Sequence, residues 1–162
     1  MSEQIFDISF GLTAERIAYL IHQLGIDSEV AALDLEMIKQ ALYNEQIRNH
    51  EINAIDPDSA EIEYKRYLHL VKKYAPVQLV PNALMDKMWH HHILDTRAYE
   101  KDCLNIFGKF LHHFPYLGTR GENDKKALLD AFENTRSYYR NQFSEEMSSD
   151  SPSTCDCETI VE

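Results

Sequence analysis

Between Thr13 and Phe143 the apolar residues recur at intervals of three and four, and only five glycines and five prolines occur in the whole 162-residue chain. That spacing is the periodicity of helices with one buried face, and almost no stretch alternates as a strand would. A hydrophobic fraction of 44% is enough for a packed core. The chain therefore reads as all-α, a compact bundle of about five helices.

The helix boundaries follow from punctuation. Thr13 is placed to cap a first helix that Gly25 stops, with Ile17, Leu20, Ile21 and Leu24 on one face. A second helix begins after Asp27 or Ser28 and runs towards Asn49, its stripe formed by Val30, Leu33, Met37, Ala41 and Leu42. Asp58 and Glu61 form a capping pattern for a third helix, which Pro76 ends and which buries Tyr64, Tyr67, Leu68, Val71 and Tyr74. Pro81 suits the first turn of a fourth, reaching about Phe107, with Gly108 as a point where the chain kinks or stops. Asn123 caps a fifth, ending at Phe143, with Leu128, Phe132, Thr135 and Tyr139 inward. These elements make one domain over residues 1–143. Residues 144–162, "SEEMSSDSPSTCDCETIVE", are rich in serine and acid and too poor in apolar residues to offset ordering, so they read as a disordered tail.

Charge and cysteine content narrow the function. A net charge of −11 opposes nucleic-acid binding, which normally needs a basic face, and opposes docking on anionic membranes. No run approaches the roughly 18 apolar residues of a membrane span. Residues 1–10 lack the basic and apolar regions of a secretion signal. Three cysteines, Cys103, Cys155 and Cys157, do not form a secreted disulfide framework, which points to the cytoplasm.

Chemistry concentrates in two places. Five of the eight histidines lie in "MWHHHILD" (residues 88–95) and "FLHHFPY" (residues 110–116). On one continuous helix Trp89, His92, Thr96, Tyr99, Cys103, Ile106 and Phe110 share a core-facing stripe. His90 lies about 200° from His92 on a regular helix, so the two cannot grip one ion there. His90 instead meets Asp86, four residues earlier, as an imidazole oriented by a carboxylate. His91 points in a third direction and reads as a solvated bystander. If the chain bends at Gly108, His112 or His113 folds back towards Tyr99 and Cys103. His92, Cys103 and one of that pair then form a nitrogen and sulfur set suited to zinc. Asp86, His90 and Asp102 form a harder set suited to iron or manganese, with Tyr99 as a hydrogen-bond donor to either. Trp89, Phe107, Gly108 and Phe110 are structural on any of these readings. The spacing matches no standard zinc signature.

Residues 79–116 also resemble the glycine-rich domain-containing protein-like family. Its pattern of D-x-x-W-H-x-H-I, a tyrosine, a D-C pair, F-G-x-F and H-H-x-P is filled by Asp86, Trp89, His90, His92, Ile93, Tyr99, Asp102, Cys103, Phe107, Gly108, His112, His113 and Pro115. The resemblance implies a helical domain in which His90 and His92 enter as a pair and His91 occupies a variable slot.

Three functions are consistent with these residues. One is a metal-binding domain or small metalloenzyme built on the histidines. A second is a non-catalytic module whose acidic surface or tail recruits a protein partner. The third is a leader-like domain carrying a modifiable Cys/Ser/Thr peptide, "STCDCETIVE". The Cys155-x-Cys157 pair could also chelate a soft metal, though two thiolates alone leave it undercoordinated.

Overall fold

The structure is a computed structural model that describes residues 11–153. Seven helices follow in order, with no strand among the described residues: α1 (Ala14–His22), α2 (Ser28–Ala31), α3 (Glu36–Arg48), α4 (Pro57–Tyr74), α5 (Ala83–Leu94), α6 (Thr96–Phe107) and α7 (Glu122–Phe143). The fold is all-α. Two of the five expected helices are each divided by a break. Asp27 caps α2 through the amides of Glu29 and Val30, but that helix lasts one turn before the chain restarts at Glu36. The restart resets the helical phase. Met37, expected inside, is 77% exposed, and Lys39 turns inward instead. The second break falls at Asp95, which both ends α5 and caps α6 by accepting from the Ala98 amide.

Capping differs from expectation at two further helices. Asp56, not Asp58, caps α4, with Pro57 at the first helical position. Asn123 lies inside α7 rather than at its cap, which is Gly121. Thr13 caps α1 as expected, and Asn82 caps α5 by accepting from the Met85 amide.

Helix α4 packs against α2, α3, α5 and α7, and α5 packs against α3, α4 and α6. Because neighbours cover α4 on several sides, it buries charge as well as Tyr64, Tyr67 and Leu68. Glu61 is fully buried and lies 2.8 Å from Lys65, 3.3 Å from Lys39 and 3.3 Å from Arg16. Lys39 also reaches Glu36 and Asp58, and Lys65 donates to the Ala31 carbonyl at the end of α2. One carboxylate thus ties α1, α3 and α4 together, while Lys65 carries the tie to α2. Burial of such charges is tolerable only when they are paired and hydrogen-bonded.

The first residues beyond α7 are ordered against the domain. Ser144 adopts a left-handed conformation that ends the helix. Glu145 pairs with Arg66 at 2.8 Å, Met147 is buried, and the Ser148 amide and hydroxyl both donate to Glu63. Pro152 bridges to Asn82, and the Ser153 amide donates to the Pro81 carbonyl at 2.9 Å. Residues 144–153 therefore form a strap across α4 to the start of α5. Composition places them with the tail because it counts apolar residues, whereas this strap is held mainly by polar ties. Replacing Met147 with alanine is expected to cost about 2 kcal/mol and to speed amide hydrogen exchange at Ser148 and Ser153 together. Unchanged exchange at both amides would show that Met147 does not hold the strap.

Candidate metal centre

The break at Asp95 organises the histidine segment. On one straight helix residues 92 and 102 would stand about 15 Å apart along the axis. The reversal into α6 instead brings Asp102 Oδ2 to 3.0 Å from His92 Nε2. The other ring nitrogen of His92, Nδ1, lies 3.0 Å from the Tyr64 hydroxyl. Tyr64 is the donor to Nδ1 when His92 carries its proton on Nε2 towards Asp102. Burial pushes the His92 pKa down more than Asp102 raises it, so a neutral ring fits this relay. Burial likewise holds the Tyr64 hydroxyl well above its ordinary value. The same reversal lets Trp89 Nε1 donate to the Tyr99 hydroxyl at 2.8 Å.

Gly108 ends α6 in the left-handed conformation, with φ of 68°. The chain then returns past α5 with neither helix nor strand, pinned where Tyr99 donates its hydroxyl to the Leu111 carbonyl and where His113 meets Asp86. His113 turns inward to Asp86, while His112 is exposed beside Phe110, their ring centroids 4.9 Å apart. Phe110, expected in the core, is 42% exposed, because helical spacing no longer applies beyond Gly108. Phe107 remains partly buried against the core.

Asp86, in the first turn of α5, is the meeting point. His113 Nε2 lies 2.7 Å from Asp86 Oδ1. The Ser153 hydroxyl donates to Asp86 Oδ2 at 2.7 Å. His90, one turn along α5, places Nδ1 3.6 Å from the same Oδ2, and its ring centroid is 4.7 Å from that of His113. Burial pushes the Asp86 carboxyl up, but His113, Ser153 and the nearby His90 outweigh it and hold the group below the ordinary carboxylate range. Among the described residues, Asp86, His90 and His113 are the group of three His, Cys, Asp or Glu whose ligand atoms all lie within 4.8 Å of one another.

Other expected arrangements are not assembled. His92, Cys103 and His112 or His113 do not converge: both nitrogens of His92 are engaged, Cys103 is a free, buried thiol, and His112 faces solvent. Asp102 serves His92 and does not join Asp86 and His90. His91 is no bystander, since its Nε2 lies 2.6 Å from Glu45 on α3. Sequence reasoning missed Ser153 at the cluster, and no local signal could have placed a residue there from 67 positions away. Cys155 and Cys157 lie outside the described residues.

Asp86 and His113 border a cavity of about 210 Å³ walled by Val71, Leu79, Trp89, Leu111, Phe114 and Leu128, with Ser153 at its edge. The arrangement is not a nucleophilic triad, because Ser153 donates to the carboxylate and not to a histidine. Two imidazoles and one carboxylate beside a cavity form a donor set that can hold a divalent transition metal.

The fold and this cluster define a small all-α domain with an Asp/His/His group at the junction of α5, the returning chain and the C-terminal strap. A model of the UCP032817-like family matches residues 34–149, and the chain belongs to that family. It is also similar to glycine-rich domain-containing protein 1 of Arabidopsis thaliana, with 30% identity over 105 residues, in accord with the resemblance carried by residues 79–116. That match takes in 62% of this chain but only 13% of the plant protein. No solved structure matches. Among the described residues no helix is long and apolar enough to cross a membrane.

Proposed function

We propose that this chain is a metal-binding domain that holds one divalent transition-metal ion, zinc or iron(II), through Asp86, His90 and His113. The observation that carries the reading is the convergence of the three ligand atoms within 4.8 Å. Ligands about 2.0–2.2 Å from one zinc ion stand roughly 3.0–3.5 Å from each other. The His90–Asp86 separation of 3.6 Å is near that spacing and too long for a hydrogen bond. The His113–Asp86 contact of 2.7 Å must open by roughly 0.3–0.8 Å to reach it. The Ser153 hydroxyl on Asp86 is the kind of outer contact that orients a ligating carboxylate. The adjoining cavity gives such an ion room for a water or a small ligand.

The test is elemental analysis of the untagged full chain, followed by thermal unfolding with zinc, iron(II) or manganese(II) and with chelator. One bound ion per chain is expected. A free metal at about 100 times its dissociation constant should add about 2.7 kcal/mol of stability. A metal-free protein whose unfolding ignores both metals and chelator would leave Asp86, His90 and His113 as a hydrogen-bonded structural cluster.

A further inference from the structure

The cavity beside the proposed ion has two unlike ends. Asp86, His113 and Ser153 border it on one side, while Val71, Leu79, Leu111 and Leu128 wall much of the rest. Polar atoms of the wall residues are already engaged. The Tyr67 hydroxyl donates to the Leu79 carbonyl, the Val80 amide to the Thr135 hydroxyl, and Trp89 Nε1 to the Tyr99 hydroxyl. The inner wall therefore offers an apolar surface, and the end formed by Asp86 and His113 is the part able to orient a ligand. Val77, Gln78, His112 and Phe114 also line the cavity and are exposed, so it opens to solvent between them.

Size and charge then specify what fits. A cavity of about 150 Å³ holds benzene. One of about 210 Å³ holds a ring or a short branched chain together with a small head group. Three protein ligands leave one position of a tetrahedral ion open. Asp86 and His113 line the cavity and His90 does not, so that position falls on the cavity side. A divalent ion on Asp86 and two neutral imidazoles keeps one positive charge, which an anionic head group neutralises. We infer that the cavity takes a small aromatic or branched aliphatic monocarboxylate, its carboxylate on the ion held by Asp86, His90 and His113 and its apolar body against Val71, Leu111 and Leu128. This ligand class rests on the metal-binding reading above. Without the ion the same end presents the Asp86 carboxylate, which repels an anion, so metal and carboxylate strengthen each other's binding.

Benzoate titrated into the cobalt(II)-loaded full chain tests this, with the visible cobalt bands as the readout. Benzoate is expected to shift those bands and to saturate at one per chain. Acetate, which has the head without the ring, should need roughly 10–100 times the concentration. Benzyl alcohol, which has the ring without the charge, should compete at least about tenfold more weakly. By calorimetry the metal-free chain should bind benzoate at least about tenfold more weakly than the loaded one. Val71→Phe, which narrows the cavity from a half-buried wall position, should reduce benzoate to the level of acetate and leave cobalt binding unchanged.

Cobalt bands that ignore benzoate, or that answer acetate and benzoate alike, would overturn the ligand class and leave the metal-binding reading standing. So would equal benzoate binding with and without metal, or equal binding to a folded Val71→Phe and the wild type. If Val71→Phe does not fold, the acetate and benzyl alcohol comparisons on the wild type still decide. A chain that binds no cobalt would remove both readings.

Discussion

Replacing Glu61 with glutamine is expected to cost about 3–5 kcal/mol of stability, since it leaves buried cations without their shared anion. In the wild type Glu61 faces Lys65, Lys39 and Arg16 within 3.3 Å, and both lysines are almost wholly buried. The glutamine amide keeps one acceptor oxygen, puts donor hydrogens where the other stood, and carries no charge to offset theirs. For a domain of this size, a loss of that order lowers the melting temperature by roughly 10–17 °C. Urea unfolding measures it, and a change below about 1 kcal/mol would show that the network does not hold these helices together. The pH dependence has a definite sign. Burial pushes the Glu61 carboxyl up, but Lys65, Lys39 and Arg16 outweigh it, so its folded pKa lies below the ordinary 4.5. The stability it contributes is present above that ordinary value and is lost as pH falls through the folded value. Glu61→Gln should therefore lack that part of the acid destabilisation.

The histidine segment should separate into opposite phenotypes. His92→Ala is expected to destabilise the domain by about 3 kcal/mol, because it opens a cavity and strands the buried Tyr64 hydroxyl. Metal affinity, referred to the folded fraction, should stay close to that of the wild type, since His92 contacts Tyr64 and Asp102 rather than Asp86. His90→Ala should do the reverse. Its side chain is 47% exposed, so stability should change by no more than about 0.5 kcal/mol. Metal affinity should fall by more than the roughly 10–100-fold that loss of an outer contact costs. Paired denaturation and metal titrations of the two variants check this. If His92→Ala loses metal while His90→Ala keeps it, the ligand assignment is wrong.

Much of this division is visible in local spacing. Helical geometry separates His90 from His92 and pairs His90 with Asp86, because positions three and four apart meet whatever surrounds them. Gly108 signals the end of α6, since glycine readily adopts the left-handed conformation found there. The break at Asp95 is less legible in the sequence. Its flanking residues keep the apolar spacing of one helix, and only an aspartate before Thr96 hints at a cap. Reading through it leaves Asp102 and Tyr99 a distant part of the same helix, when they in fact fold back onto His92 and Trp89. Reading the segment after Ser144 by composition likewise hides the strap, whose hold depends on Glu63, Arg66 and Asp86 far back in the chain.

By itself the sequence determined an all-α chain, the residues of most buried faces, and two histidine-dense segments that cannot act as a single triplet. Those properties depend on neighbours within a helical turn, where backbone geometry alone sets the distances. Tertiary structure alone decided which carboxylate each histidine meets: Asp86 for His113, Asp102 for His92 and Glu45 for His91. Two chain reversals and the packing of α3 on α5 make those pairs, and their distances depend on how separate elements dock rather than on sequence separation.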